Sequence, residues 1–346
     1  MLTAPTQDMS DDDDDNDDDD DDEDADPVLT FRTIPHKGAV NRIRARPLPG
    51  SLSAGPPTPP DPYHVATFAE TGKVHIYDIA PQLDSLLHPA TASALQSKEP
   101  LFTIDAHGTA EGYALDWSTT LNPAHSPKLL SGDVAAKIFL TTLTPNGANT
   151  SAKPFTSHTS SVEDLQWSPA EPTVFASCSA DRSIRIWDTR IKNRQSVLAV
   201  GGAHDSDVNV ISWNRLTNYL MLSGGEEGAI KVWDLRQFQD AAPSPVASFN
   251  WHKKPVTSVE WHPTEESCFA ASGADDQVTL WDLSVEVDDE ERAADPKLKD
   301  VPAQLLFSHQ GQRDIKEVHW HPQLPGVVLS TALDGFNIFR SLPFSQ

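Results

Sequence analysis

A histidine, a serine or threonine and a carboxylate recur together along the chain, and nucleophilic catalysis is the chemistry such a set first suggests. His158 precedes Asp181 and Trp187, His204 precedes Glu227 and Trp233, and His252 precedes Asp275 and Trp281. In all three, 29 residues separate histidine from tryptophan, and the acid stands six positions before the tryptophan. A nucleophile needs an accessible hydroxyl, an aligned base and oxyanion donors at one place. Residues that return wherever the same segment returns serve the segment, so they are read as structural and no catalytic residue is assigned. His319-Trp320-His321 has the look of a metal pair but lacks a third ligand, and Trp261-His262-Pro263 repeats the same local turn. The glycine-rich run at 224–228 has neither the lysine nor the following helix of a phosphate loop, and its acids repel phosphate. Cys178 reads as a small apolar filler. No metal, cofactor or phosphate site follows from these residues.

The elements that must position these side chains are strands. Residues 162–167, 174–179 and 183–187 are runs of strand length rich in β-branched and aromatic residues. Prolines after the first run remove a ladder donor, and the turn at Asp181 follows the second. Three strands joined by two tight turns form an antiparallel sheet that cannot bury its own faces, so it must stack on copies of itself. The copies at His204 and His252 follow at intervals of 46 and 48 residues. Weaker copies run from His36 to Tyr77, from His107 to Phe139 and from His309 to Phe339. Six repeats result, near 36–79, 107–140, 158–188, 204–234, 252–282 and 309–340. The turn acid of the second is Asp133, whereas Thr71 and Leu333 stand there in the first and last, whose internal networks should be incomplete.

Composition divides the chain in two: an acidic tail, 1–27, which should be disordered because aspartates bury nothing and repel each other, and a repeat domain, 28–346. Fourteen acids lie in residues 11–26, so the remainder carries −11 of the formal −25. A negative body without a basic stripe disfavours direct nucleic-acid binding. Two cysteines exclude a disulfide framework and fit a reducing compartment. The first ten residues lack a signal-peptide core and no apolar run is long enough to span a membrane, which predicts a soluble intracellular protein. Residues 28–34 form a further strand, residues 47–62 a proline-rich loop, and residues 82–87 part of a helix. An insertion at 284–303, with seven acids against three bases, is expected between the fifth and sixth repeats and should project from one face.

The endings I-R-I-W-D, I-K-V-W-D and V-T-L-W-D resemble the WD-repeat superfamily. That resemblance implies an all-β propeller of four-stranded blades, with histidine, hydroxyl, acid and tryptophan hydrogen-bonded inside each. The wording H-T-S-S-V-E-D-L-Q-W-S-P, H-D-S-D-V-N-V-I-S-W, P-V-T-S-V-E-W-H-P and L-S-T-A-L-D-G-F-N-I-F-R is closer still. It resembles the glutamate-rich WD-repeat proteins, nuclear and nucleolar factors of large ribosomal subunit assembly that chaperone a ribosomal protein, themselves related to the retinoblastoma-binding histone chaperones. The resemblance implies a seven-bladed ring. This chain starts almost at the acidic tract, so an arc of six blades with a seventh incomplete is expected, unless residues 28–34 seal a six-bladed ring as the outer strand of its last blade.

The implied role is a non-enzymatic scaffold, a monomer within larger assemblies, that needs no cofactor and binds neither nucleic acid nor membrane. Its partners would be a basic ribosomal protein of the large subunit and core histones. Candidate partner-binding acids are Asp11, Asp12, Asp13, Asp14, Asp15, Asp17, Asp18, Asp19 and Asp20 in the tail, with Asp288, Asp289, Glu290, Glu291, Asp295 and Asp300 in the insertion. Alternatives are a histone-binding chromatin adaptor, or a substrate receptor of a ubiquitin ligase acting through the W-D-x-R edges ending at Arg190 and Arg236.

Overall fold

Six antiparallel sheets follow one another along the chain in the computed structural model, which describes residues 30–47, 62–88, 99–118, 126–286 and 300–341. The first contains β1 (Val40–Ala45), β2 (His64–Ala69), β3 (Val74–Asp78) and β4 (Phe102–Ile104), with helix α1 (Ala80–Leu87) between β3 and β4. The second contains β5 (Ala114–Trp117), β6 (Lys128–Gly132), β7 (Ile138–Thr144) and β8 (Gly147–Thr150). The third contains β9 (Val162–Trp167), β10 (Val174–Ser179), β11 (Ile184–Asp188) and β12 (Leu198–Val200). The fourth contains β13 (Val208–Trp213), β14 (Leu220–Gly225), β15 (Ile230–Asp234) and β16 (Ala247–Phe249). The fifth contains β17 (Val256–Trp261), β18 (Cys268–Gly273), β19 (Gln277–Asp282) and β20 (Leu305–Gln310). The sixth has three strands, β21 (Glu317–Trp320), β22 (Val327–Ala332) and β23 (Gly335–Arg340). The architecture is an all-β propeller whose six blades surround a central axis.

Each sequence repeat supplies the three inner strands of a blade. The outer strand lies beyond the repeat and is short: Phe-Thr-Ile, Leu-Ala-Val and Ala-Ser-Phe in the first, third and fourth blades. Its two apolar residues extend a face already begun by the third strand, as Ile184 pairs with Val200 and Ile186 with Leu198.

Blades cohere through five apolar clusters, one at each successive seam. Phe68 and Ile76 of the first meet Leu115 and Trp117 of the second, and Leu130 and Ile138 of the second meet Leu165 and Trp167 of the third. Ile184 and Ile186 then meet Ile211 and Trp213, Leu222 and Val232 meet Trp261 and Phe269, and Val278 and Leu280 meet Val318 and Trp320. At about 1.5–3 kcal/mol for each large side chain removed from water, every such seam is strongly held. Within blades, stacked rings tie neighbouring strands, with Phe175 and Trp187 5.7 Å apart in the third and Phe269 and Trp281 5.8 Å apart in the fifth.

Four details differ from the sequence reading. Among the described residues there is no seventh sheet: the incomplete blade is the sixth, which has no outer strand, and no apolar cluster joins it to the first. Residues 30–34 are not in a strand and Phe31 is exposed, while residues 28 and 29 lie outside the described residues. The insertion at 284–303 falls inside the fifth blade, because the strand after it pairs back on β19, with Leu280 opposite Phe307. His309 lies on that same strand, β20, and so belongs to the fifth blade rather than opening the sixth. The helix expected at 82–87 is α1. The tail acids 11–26, the loop residues 48–61 and the insertion residues 287–299 lie outside the described residues.

Candidate functional site

Two polar systems are built on this frame, one inside the blades and one along the axis. In the third blade Trp187 donates its indole N–H to Ser177 Oγ (2.8 Å), Ser177 donates to His158 Nε2 (2.6 Å), and His158 Nδ1 donates to Asp181 Oδ2 (2.8 Å). Burial pushes the His158 pKa down, which keeps the ring neutral and able to accept at Nε2. Burial works against ionisation of Asp181 too, but the His158 and Ser183 hydrogen bonds win and hold it well below the usual carboxylate range. The fourth blade repeats the relay through Trp233, Ser223, His204 and Glu227, with His204 to Glu227 at 2.6 Å. In the fifth, Thr279 takes the hydroxyl position between Trp281 and His252, and His252 meets Asp275 at 2.8 Å. In the second, His107 bonds Ser131 and Asp133 at 2.7 Å each, and Phe139 packs its edge on the imidazole.

These constellations cannot act on a substrate from solvent. Ser177, Ser223 and Thr279 are each 0% exposed, so no reacting carbonyl reaches them. Their effect is cohesion, because each link satisfies a buried group that would otherwise cost about 1–3 kcal/mol. Local sequence makes room for them. In the fourth and fifth blades a Cβ on Gly225 would collide with Glu227 and His204, and one on Gly273 with Asp275 and His252, whereas in the third Ser179 stands two residues before Asp181 and the contact still forms at 2.8 Å. In the first blade, where Thr71 replaces the acid, His36 bonds Thr67 Oγ1 and the Gly38 carbonyl instead. In the sixth, Gln312 rather than His309 takes the hydrogen bond of Ser330, and His309 pairs with Asn337.

The second system lines the axis. Arg44, Asp116, Gln166, Ser212, Glu260 and His319 occupy equivalent places on the six inner strands, one residue before the strand's final position. Asp116 accepts from the backbone N–H of Trp167 (2.6 Å), Gln166 from Trp213 (2.6 Å), Ser212 from Trp261 (3.2 Å) and Glu260 from Trp320 (3.3 Å). Each side chain thereby latches the next blade. A cavity of about 230 Å³ opens beside them, walled by Trp117, Trp167, Trp213 and Trp261. Burial pushes the Asp116 carboxyl up to about 7. Glu317 receives Arg42 at 2.7 Å and Arg44 at 2.9 Å, while His319 bridges Glu260 (2.7 Å) and Glu317 (3.1 Å). Burial opposes the charge on His319, but hydrogen bonds to the two glutamates raise its pKa to about 9, so it is a cation at neutral pH. For Glu317, burial is outweighed by the His319 hydrogen bond and the charges of Arg44 and Arg42, which hold it far below the carboxylate range.

His319 and His321 therefore have separate roles: His321 Nδ1 accepts from the N–H groups of Gln323 and Leu324 in a turn, as His262 does from Thr264 and Glu265. Among the described residues no group of histidine, cysteine or acid side chains is arranged to hold a metal ion.

The family described as WD domain, G-beta repeat matches residues 149–188, 195–234 and 243–282, the third, fourth and fifth repeats. Ribosome assembly protein rrb1 of Schizosaccharomyces pombe is 47% identical over 324 residues, covering 92% of this chain and 65% of that protein. Glutamate-rich WD repeat-containing protein 1 of Dictyostelium discoideum is 46% identical over 91% of this chain and 61% of its own length. The chain is a homologue of the glutamate-rich WD-repeat ribosome assembly proteins. Protein HEAT STRESS TOLERANT DWD 1 of Arabidopsis thaliana is 42% identical over 90% of this homologue and 65% of its own length. The chain thus spans a little under two thirds of the length of these relatives.

On this homologue the predicted partner-binding acids are not gathered into a described site. Asp11 to Asp20 and Asp288, Asp289, Glu290, Glu291 and Asp295 lie outside the described residues, and Asp300 is exposed after them. The W-D-x-R edges are described. Arg190 forks onto Asp188 (2.6 Å) and Arg236 onto Asp234 (2.6 Å), with the arginine side chains 69% and 65% exposed. The axial set, Arg42, Arg44, Asp116, Glu260, Glu317 and His319, was not found from sequence, although charged residues at every second place in N-R-I-R and E-V-H-W mark one polar strand face.

Proposed function

We propose that the chain is a non-enzymatic scaffold and chaperone of large ribosomal subunit assembly, acting in the nucleus and nucleolus, that holds a basic ribosomal protein and shields its charge. Its 47% identity to a protein named for ribosome assembly carries this reading. Charge supports it. Fourteen acids in residues 11–26 and seven in the insertion give two segments of high negative density, suited to a lysine- and arginine-rich client. The tail acids Asp11 to Asp20 and the insertion acids Asp288 to Asp300 are the proposed contacts, and no cofactor takes part. The sealed hydroxyls support a binding role over a hydrolytic one.

A second reading, a substrate receptor of a ubiquitin ligase, is favoured by one observation: two adjacent blades present forked, exposed arginines at the same place, Arg190 and Arg236. Affinity capture with the full chain and with a variant whose tail aspartates are asparagines, each at two salt concentrations, separates the readings. Loss of a large-subunit ribosomal protein on neutralisation supports the first. Capture of histones alone supports a chromatin adaptor, capture of ligase subunits regardless of the tail supports the receptor, and either result defeats the ribosomal assignment.

A further inference from the structure

In a chain of net charge −25, residues 138–162 and 189–204 contain no acid. The first stretch holds β7, β8 and the connection to β9, and the second runs from the end of β11 through β12. They meet where the second blade hands over to the third. Thr156 donates its backbone N–H to the Arg194 carbonyl (3.2 Å), Gln195 Nε2 donates to the Thr156 carbonyl (3.0 Å), and Ser157 Oγ accepts from the Ser196 N–H (2.9 Å). The bases brought there are Lys153, Arg190, Lys192 and Arg194, of which Arg190 is already forked on Asp188.

Arg194 is a cation without an anion. Among the described residues no carboxylate pairs with it: its Nη2 donates to Ser151 Oγ at 3.2 Å, and its Nη1 is buried with no acceptor. A charged donor left unmade in the interior is costly, so the group calls for a partner. The guanidinium is held where it stands. Its Cζ lies 4.4 Å from the centre of the Phe155 ring, and Phe155 is fixed edge-on against Phe175 and Trp187. The Arg194 backbone, at φ +61°, is tied by its N–H to the Ile191 carbonyl.

We propose that Ser151 is a phosphorylation site and that Arg194 reads the phosphate, making a staple between the second and third blades that a kinase sets. The serine stands one residue past β8, partly exposed, in a connection without regular structure, where a kinase can reach it. Transfer from a nucleoside triphosphate forms the Oγ–P bond as the bond from that phosphorus to the departing diphosphate breaks, and the serine proton passes to the kinase's base. The product carries about −1.5 to −2 charge and three acceptor oxygens at neutral pH. Those oxygens take both terminal nitrogens of a guanidinium at once, which a single hydroxyl cannot do. Lys153, two residues along, is a further cation, and neither stretch holds a charge that repels the phosphate.

Peptide mapping by mass spectrometry of the full chain, isolated from its source cells with phosphatases inhibited, should find phosphate on Ser151. The full chain with phosphoserine incorporated at position 151 tests the reading. Its phosphorus resonance should titrate near pH 5 rather than at the ordinary value of about 6, and hydrogen exchange in residues 151–157 and 194–197 should be about fivefold slower than in the unmodified chain. Arg194→Gln should return both to ordinary values and leave exchange in β13 and β14 unchanged. If that variant folds poorly, the phosphorylated and unmodified parents still supply the comparison. No phosphate on Ser151 of the isolated chain would overturn the site, and an ordinary titration with unchanged exchange would overturn Arg194 as its reader.

Discussion

Replacing Ser177 by alanine removes one oxygen from the interior of the third blade, and the structure sets what that must cost. The hydroxyl is fully buried, accepts the Trp187 indole N–H at 2.8 Å and donates to His158 Nε2 at 2.6 Å. Ser177→Ala leaves a buried donor and a buried acceptor unmade at once. At about 1–3 kcal/mol for each orphaned group the loss is about 2–6 kcal/mol, and the vacated space, a single oxygen, is too small to admit a water that would repair it. For a domain of this size that lowers Tm by about 3–9 °C. Urea denaturation followed by tryptophan fluorescence, with calorimetry alongside, measures it, and Ser223→Ala in the fourth blade should behave alike because its geometry is the same. A loss below about 0.5 kcal/mol in both variants would show that the relay is not a stabilising network and would refute the reasoning.

Two further predictions concern the axis and carry opposite signs with pH. Asp116 has a folded pKa raised by burial to about 7, so the unfolded chain ionises first and stability falls between about pH 4 and pH 7. Asp116→Asn keeps an oxygen to accept from Trp167 and should match the parent near pH 4 yet exceed it by about 1–2 kcal/mol at pH 8, a gain that a pair of denaturation curves reveals or rules out. His319 has a folded pKa raised to about 9, so its contribution is complete below about pH 6.5 and is lost as pH rises through 9. The protection factors of β21 amides in the parent, with the intrinsic pH dependence of exchange divided out, should therefore fall between those values and stay level in His319→Gln. A parent that is equally flat would show that the His319 bridge does not hold the strand.

The relays were legible because a blade repeats its chemistry: a fixed histidine-to-tryptophan interval and an acid six before the tryptophan locate His158, Asp181 and Trp187, and the two copies that follow, without coordinates. Outer strands such as Leu198–Val200 were hidden because three residues display no alternation, and because the strand lies beyond the repeat that it completes. His309 and the acidic insertion were misplaced for another reason: the insertion separates the six-residue outer strand from the repeat it completes, and only the pairing of Leu280 with Phe307 shows that both follow the third strand of the fifth blade. Glu317, Arg42 and Arg44 meet across 273–275 residues of sequence, a contact that no local pattern encodes. Their positions on strands were readable; their convergence on one carboxylate was not.

The reading of this propeller as a holder of a cationic ribosomal protein is tested most directly by its affinity for a purified basic large-subunit ribosomal protein, measured by titration calorimetry across a salt series. The account predicts tight binding that weakens steeply with salt, and a weaker association with a shallower salt dependence once the nine aspartates at 11–15 and 17–20 are asparagines. Equal affinity and equal salt dependence for the two chains would contradict it.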